Sequence, residues 1–517
     1  MRKAIQLFFL LFFTYLFFRA AYPLTSWIPV DLFLRADPLL ALATTFSSRE
    51  IMVKALPAVI LVVLTVLLGR FFCAYLCPLG TVLDLLQSLT GTHKPRFVER
   101  AKNLKFYLLT ALLVASITGA SLIYLFDPLI ILTRTYTIVF YPLFIFLTNL
   151  SLDGIRPLAE YVGWVELIYL NYFQPFFFMS IITGILFAGI VALNLIAPRF
   201  WCRYLCPLGA LLGFFSRFGI FKRVVNNHCT SCMKCKEKCP MGAINDDPYK
   251  VRGSECLQCR TCSLICPKEA ISFKAVYSPV HEDVRTEIAL TRRGFLFSLS
   301  GGLAAGFFLF DHPLRRVRRD SLIRPPGAIP EEQFLNTCIR CSECMKVCIT
   351  NTLQPCLLES GPEGLWTPRT YLRFAACEQT CNLCGKVCPT QAIRDLDLEE
   401  KKHAKIGTAV ILKHKCLVWE QDKVCLICDE QCPYNAIVFK TVDGFRRPFV
   451  IENKCNGCGL CEQKCPVEGE AAIVVTPIGE MRLKEGSYTE SAKRLELTLQ
   501  EDEGYDRFLF EGEQGNR

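Results

Sequence analysis

The chain is poor in the residues that hold haem. Its six His (His93, His228, His281, His312, His403 and His414) all fall outside the apolar runs, so a membrane b-type haem clasped by two His is not expected. No Cys-x-x-Cys-His occurs, which excludes covalent c-type attachment. A dinucleotide fingerprint, a flavin or molybdenum motif and a nucleophile constellation are missing too, so substrate chemistry belongs to a partner. Charges are scarce inside the apolar runs, which speaks against an ion-pumping subunit. The net charge of +10 is local to the flanks of those runs, so nucleic acid is not an expected partner.

What the chain does have is 29 cysteines and a 52% hydrophobic composition rich in Phe. The cysteines fall in metal-type spacings, and a chain of 517 residues needs no disulfide stapling. Cys229-x2-Cys232-x2-Cys235-x3-Cys239-Pro240 is followed by Cys256-x2-Cys259-x2-Cys262-x3-Cys266-Pro267. This is the bacterial two-cluster ferredoxin spacing: three close thiolates wrap one cube, and the Cys before Pro reaches the other. It assigns Cys229, Cys232, Cys235 and Cys266 to one [4Fe–4S] cluster, and Cys256, Cys259, Cys262 and Cys239 to its neighbour. A zinc ribbon needs only two Cys-x-x-Cys pairs and would leave the others idle.

Residues 1–225 read as an α-helical membrane domain. Apolar runs at 4–18, 51–76, 106–126 and 177–197 suggest four spans, with Lys54 and Arg70 snorkelling. Residues 135–152 are also uncharged, but an acidic loop follows, and the expected set omits them. Bases between spans two and three (Lys94 to Lys105) and after span four (Arg199 to Arg223) place residues 226–275 in the cytoplasm by the positive-inside rule. The domain repeats itself. Phe72-Cys73-Ala74-Tyr75-Leu76-Cys77-Pro78-Leu79-Gly80 is echoed by Trp201-Cys202-Arg203-Tyr204-Leu205-Cys206-Pro207-Leu208-Gly209, and Asp37-Pro38-Leu39 by Asp127-Pro128-Leu129. Each Cys pair should lie one turn apart on a helix face. Cys73, Cys77, Cys202 and Cys206 then form a redox pair of dithiols or share a metal; small buried packing residues are the bland alternative. The Asp-Pro pairs read first as helix starts, and second as proton acceptors at a quinol site.

Thr291-Arg292-Arg293-Gly294-Phe295-Leu296 opens an apolar helix over 294–310, resembling an internal twin-arginine export signal and a fifth span. Arg315, Arg316, Arg318 and Arg319 just after it run against the positive-inside rule. Four further runs follow: Cys338-x2-Cys341-x2-Cys344-x3-Cys348, Cys377-x3-Cys381-x2-Cys384-x3-Cys388, Cys416-x8-Cys425-x2-Cys428-x3-Cys432 and Cys455-x2-Cys458-x2-Cys461-x3-Cys465. They supply four more [4Fe–4S] clusters, six in all. The two regular outer runs are expected to pair around the irregular inner two, with neighbour pairing as the alternative. Ala436–Lys440 and Phe449–Glu452 read as strands, and Cys356 as a buried thiol.

The chain therefore reads as a multi-domain membrane protein. It has a membrane domain (1–225), a small α+β two-cluster ferredoxin (226–275), a linker with the twin-arginine motif (276–330), an α+β four-cluster ferredoxin domain (331–480) and an acidic, solvated or partner-facing tail (481–517). The paired Cys-x3-Cys-Pro-Leu-Gly motifs followed by a two-cluster ferredoxin resemble NapH-type and MauN-type membrane ferredoxin proteins. Arg324-Pro325-Pro326-Gly327-Ala328-Ile329-Pro330-Glu331, leading into Cys338-Ile339-Arg340-Cys341, resembles NapG-type and MauM-type proteins, with Ile349 standing where Pro usually follows the first run. The resemblance to the two fused end to end implies a quinol-dehydrogenase-like subunit of a bacterial inner membrane. It would pass electrons from the quinone pool to a periplasmic reductase or cytochrome, with residues 331–517 periplasmic. An accessory protein that keeps a partner's metal centre reduced during maturation is the second expectation.

Overall fold

The computed structural model describes residues 2–24, 27–50, 52–90, 99–275, 290–310 and 322–499. Lys94, Arg96 and the Arg315–Arg319 bases therefore lie outside the described residues. The chain divides into two compact units. One takes Met1–Tyr172, Met179–His312 and Ile339–Cys341, and the other Phe173–Phe178, Pro313–Cys338 and Ser342–Arg517.

In the first unit the apolar runs are helical, but all except the first are shorter than hydropathy suggested. Arg2–Arg19 is continuous, whereas the second run is helical only over Leu56–Leu68. Gly69, at φ +70°, ends it, and a π-helical turn Phe72–Leu76 follows. The third run is Leu104–Ile117, stopped at Thr118-Gly119, and the fourth is Ser180–Ala192. Among the described residues, one helix is long and apolar enough to cross a membrane, and it is 128–162, 35 residues. It contains the 135–152 stretch that the expected spans left out. Window hydropathy adds up apolar residues across turns that the backbone breaks, and the four expected spans do not each appear as one long helix among the described residues.

Arg70 needs correction too. It does not snorkel but is fully buried, and Lys105 likewise. Lys105 pairs with Glu255 at 2.5 Å, Lys102 donates to the Gly242 carbonyl at 2.9 Å, and Arg203 donates to the Met241 carbonyl at 3.1 Å. Part of the basic flank thus fixes the first ferredoxin module to the helices. The helix Arg292–Phe310 packs on Leu104–Ile117 through glycines. A Cβ on Gly294 would meet the Tyr107 ring, on Gly302 the Ala111 carbonyl, and on Gly306 the Thr118 hydroxyl. Small residues that let two backbones approach are typical of helix pairs in membranes; the Gly302-x3-Gly306 spacing was readable and went unread.

The ferredoxin modules share one construction. Phe221–Val225 pairs antiparallel with Ile271–Ala275, enclosing the runs 229–239 and 256–266. Thr408–Ile411 pairs with Ile473–Thr476 around the runs 416–432 and 455–465. A single bridge, Ala328 to Ile393, flanked by the Arg394 N–H donating to the Gly327 carbonyl at 2.9 Å, does the same around 338–348 and 377–388. The two expected strands form a hairpin, Ile437–Val442 with Phe445–Val450. Its Asp443-Gly444 turn holds both residues at positive φ (+52° and +82°), as a type I′ turn requires.

The stretch from 481, expected to be a solvated tail, folds back as far as it is described. Met481, Tyr488, Ala492 and Leu497 form a core with Leu396 and Ala404. The Glu400 carboxylate accepts from the Tyr488 N–H at 2.5 Å and the Thr489 hydroxyl at 3.0 Å. Four apolar anchors hidden in an acid-rich composition were enough to attach it.

Candidate metal centres

The backbone of each regular run is curled the same way. The residues on either side of the second cysteine are left-handed: Ser231 and Met233, Gln258 and Arg260, Arg340 and Ser342, Gly457 and Gly459. Ordinary side chains rarely adopt that conformation, so the six non-glycine positions among these eight mark a demanded shape. Three residues past the fourth cysteine the chain is left-handed again at Gly242, Glu269, Asn351, Gln391 and Asn435. Backbone N–H groups beyond the fourth cysteine point at its sulfur. Ala243 donates to Cys239 Sγ at 3.3 Å, Ala436 to Cys432 at 3.3 Å, Ala472 to Cys465 at 3.3 Å and Ile393 to Cys388 at 3.5 Å. Such donors favour thiolate and tune whatever it binds.

Three cavities are each lined by four cysteines. One of about 370 Å³ has Cys239, Cys256, Cys259 and Cys262. One of about 340 Å³ has Cys432, Cys455, Cys458 and Cys461. One of about 410 Å³ has Cys416, Cys425, Cys428 and Cys465. In each, three cysteines come from one run and the fourth from its neighbour. The nested pairing expected for the last four runs is therefore corrected. Runs three and four exchange their last cysteines, because Thr408–Ile411 and Ile473–Thr476 close them into one module. In the second unit Cys348 also lies within electrostatic reach of Cys377, Cys381 and Cys384, the same exchange between runs one and two. The donor sets suit an iron–sulfur cube. Among the described residues no three of His, Cys, Asp and Glu are close enough for a single ion, whereas a cubane needs thiolates around a wider hollow. Burial pushes the thiols of Cys256 and Cys428 up to about 12; ligation to iron takes the proton away.

One arginine touches this sulfur, and a second touches the leftover thiol Cys356. Buried Arg223, on the strand Phe221–Val225, lies 3.8 Å from Cys235 Sγ and lines the cavity that holds Cys262, so it stands between the two sets of its module. Arg324 makes a bidentate pair with Glu331 (2.6 and 3.0 Å), stacks 4.6 Å over the Phe334 ring and reaches Cys356 Sγ at 3.7 Å. Cys356 is fully buried, as expected of a lone thiol.

In the first unit Asp37 and Asp127 are helix caps, as read first. Asp37 Oδ1 accepts from Leu39 and Leu40, and Asp127 Oδ1 from Leu129 and Ile130. The two buried carboxyl groups also lie against each other, and neither Oδ2 meets a protein donor. Burial pushes both carboxyls above the ordinary carboxylate range. Cys73, Cys77, Cys202 and Cys206 are all buried and in electrostatic reach of one another. The pairs do not sit on one helix face, however. Each first Cys is in a π-helical turn (Phe72–Leu76, Trp201–Leu205), and each second Cys is extended (ψ 114° and 110°), since the following Pro disfavours helix there.

Two family models match. A "4Fe-4S binding domain" covers residues 55–96 and 179–226, and a "4Fe-4S dicluster domain" covers 423–468. The ferredoxin-type protein MauM of Methylorubrum extorquens is 39% identical over 163 residues, 30% of this chain and 72% of that relative. The chain belongs to the MauM/NapG ferredoxin-type family. NapG of Escherichia coli is 33% identical over 201 residues, 36% of this chain and 86% of that relative. MauM of Paracoccus denitrificans is 37% identical over 163 residues, 30% and 71%. No solved structure matches. As a MauM/NapG-type chain with 4Fe-4S domains, this is an iron–sulfur electron-transfer protein.

Proposed function

We propose that this chain is a membrane-bound conduit that takes electrons from the quinol pool and delivers them through six [4Fe–4S] clusters to an exported redox partner. The ligands would be Cys229, Cys232, Cys235 and Cys266; Cys256, Cys259, Cys262 and Cys239; Cys338, Cys341, Cys344 and Cys388; Cys377, Cys381, Cys384 and Cys348; Cys416, Cys425, Cys428 and Cys465; and Cys455, Cys458, Cys461 and Cys432. Bound there, the clusters supply one-electron redox chemistry. The observation that carries the reading is the exchange of the last cysteine between neighbouring runs, which sets clusters side by side. A second link supports passage between modules: the Cys377 N–H donates to the Cys458 carbonyl at 2.9 Å, joining two ligand sets through one hydrogen bond.

Membrane residence is supported by apolar faces that none of the described residues covers. Leu56, Ile181 and Ile185 are each about two-thirds exposed or more, a poor surface for water and a good one for lipid. The Asp37–Asp127 pair offers a proton acceptor, which quinol oxidation needs along with its electron acceptor. Arg292 and Arg293 head an apolar helix of export type, in keeping with a fold that must be moved with its clusters in place. The N-terminal half would then be of NapH/MauN type, with residues 226–275 cytoplasmic and 331–517 periplasmic.

Anaerobic membranes holding the full chain, given a reduced quinone analogue, should show cluster reduction by EPR. Asp37→Asn with Asp127→Asn should slow it at least tenfold while dithionite still reduces every cluster, because Asn caps a helix as well as Asp. Full-rate reduction in that double variant would contradict the quinol reading.

A further inference from the structure

The four cysteines of the internal repeat are left over by the six sets above. We propose that Cys73, Cys77, Cys202 and Cys206 together hold one further [4Fe–4S] cluster, shared between the two halves of the repeat, with Arg70 and Arg199 as the cations that balance it. The inference rests on the electron-transfer reading but on different residues.

Convergence comes first. The four thiols are buried in one core and interact electrostatically with one another. No three draw close enough for a single ion. With a mononuclear site set aside, the choice lies between two dithiols and four thiolates around one polynuclear core. The "4Fe-4S binding domain" match at 55–96 and 179–226 contains no cysteine besides these four.

Charge comes second. An arginine stands three residues before the first cysteine of each motif, Arg70 before Cys73 and Arg199 before Cys202. Each crosses to the other half. Arg199 donates to the Cys73 carbonyl at 2.9 Å and is anchored on Asp84 at 2.7 and 2.8 Å. Arg70 donates through Nη1 to the Ser254 carbonyl at 3.0 Å and lies 3.5 Å from the Glu255 carboxylate, with which Lys105 also pairs, so three cationic side chains (Arg70, Arg199, Lys105) stand against two carboxylates (Glu255, Asp84). The Arg70 Nε and Nη2, though fully buried, have no hydrogen-bond partner among the described residues. A Cβ built on Gly209 would fall 2.9 Å from Arg70 Nη2 and 3.3 Å from Cys206 Sγ, so the free N–H groups flank that sulfur. A buried guanidinium with idle donors is costly. The sulfurs of a cluster, whose oxidised core plus four thiolates is net anionic, would accept from it.

Backbone dipoles agree. Cys77 and Cys206 immediately precede the helices Pro78–Thr90 and Pro207–Ser216, and Cys206 Sγ accepts from the Gly209 N–H at 3.2 Å. Two helix N-termini and two buried arginines therefore face four sulfurs, an environment for an anion and a poor one for two neutral dithiols. The site has an onward neighbour: Arg199 is also in electrostatic reach of Cys259, a ligand in the first ferredoxin module.

The test is iron and acid-labile sulfide on anaerobically purified full-length variants. Cys73→Ala should lose one cluster, about four irons, and Cys73→Ala with Cys206→Ala should lose no more, since both serve one cube. Unchanged iron in both, with a Cys–Cys bond found by mass spectrometry in oxidised wild type, would overturn the proposal and leave the six ferredoxin clusters standing. Twice the loss in the double variant would overturn the sharing. If the cysteine variants fail to accumulate, Arg70→Gln decides. Iron should stay constant while one EPR species shifts to lower midpoint potential, because a cation favouring the reduced cluster is gone. If no species moves, the assignment is wrong.

Discussion

Replacing Glu331 by Ala should destabilise the second unit by ~3–5 kcal/mol, the usual consequence of stranding a buried charge. The stranded group is Arg324, only 1% exposed, which would lose its bidentate partner; Arg482, 2.7 Å from the same carboxylate, would lose it as well. The effect should be pH-dependent. Burial pushes the Glu331 carboxyl up, but the Arg324 and Arg482 charges outweigh it and hold the group at about 2 against an ordinary 4.5. Because the folded value is depressed, the stabilisation is present above pH 4.5 and is lost as pH falls toward 2, amounting to about 3 kcal/mol at most. Thermal loss of the visible iron–sulfur absorbance in full-length protein reads this. The difference between wild type and Glu331→Gln should shrink on acidification, and comparing the two cancels acid loss of clusters common to both. A variant that melts with the wild type at neutral pH would show that the Arg324 pair is not structural.

The second large effect concerns which cysteines share a cluster. Cys465→Ala should remove about four irons, and Cys465→Ala combined with Cys425→Ala should remove the same four, because both line one cavity. Had the outer runs paired with each other, the two cysteines would serve different cubes and the double variant would lose about eight. Cys348→Ala with Cys384→Ala should be equally non-additive. Iron analysis on anaerobic samples distinguishes the outcomes without knowledge of the partner.

How much of this was legible follows from how local each feature is. The candidate ligands stand out in the sequence because Cys-x2-Cys-x2-Cys-x3-Cys specifies its own loop, and the structure shows the same left-handed pairs in each regular run, from Ser231 and Met233 to Gly457 and Gly459. The pairing of the last four runs was not, because it is decided by strands some sixty residues apart, Thr408–Ile411 and Ile473–Thr476. Helix length was misread where Gly69 and Thr118-Gly119 cut apolar runs that a hydropathy window joins. Arg70 and Arg199 stand at the same offset in both halves of the repeat, yet by sequence alone one reads as a snorkelling residue and the other as a flank base. Burial, which turns a surface cation into part of a site, depends on tertiary contacts such as those to Ser254 and Asp84. The helix Tyr488–Arg494 was missed because its few anchors sit in a sequence dominated by charge.

The measurement closest to the central claim is the iron and acid-labile sulfide content of the full chain purified without oxygen. Six ferredoxin-type clusters predict about 24 of each, and the repeat-domain site about four more. Near-zero iron, or zinc in its place, would contradict an account in which these cysteines exist to hold electron carriers.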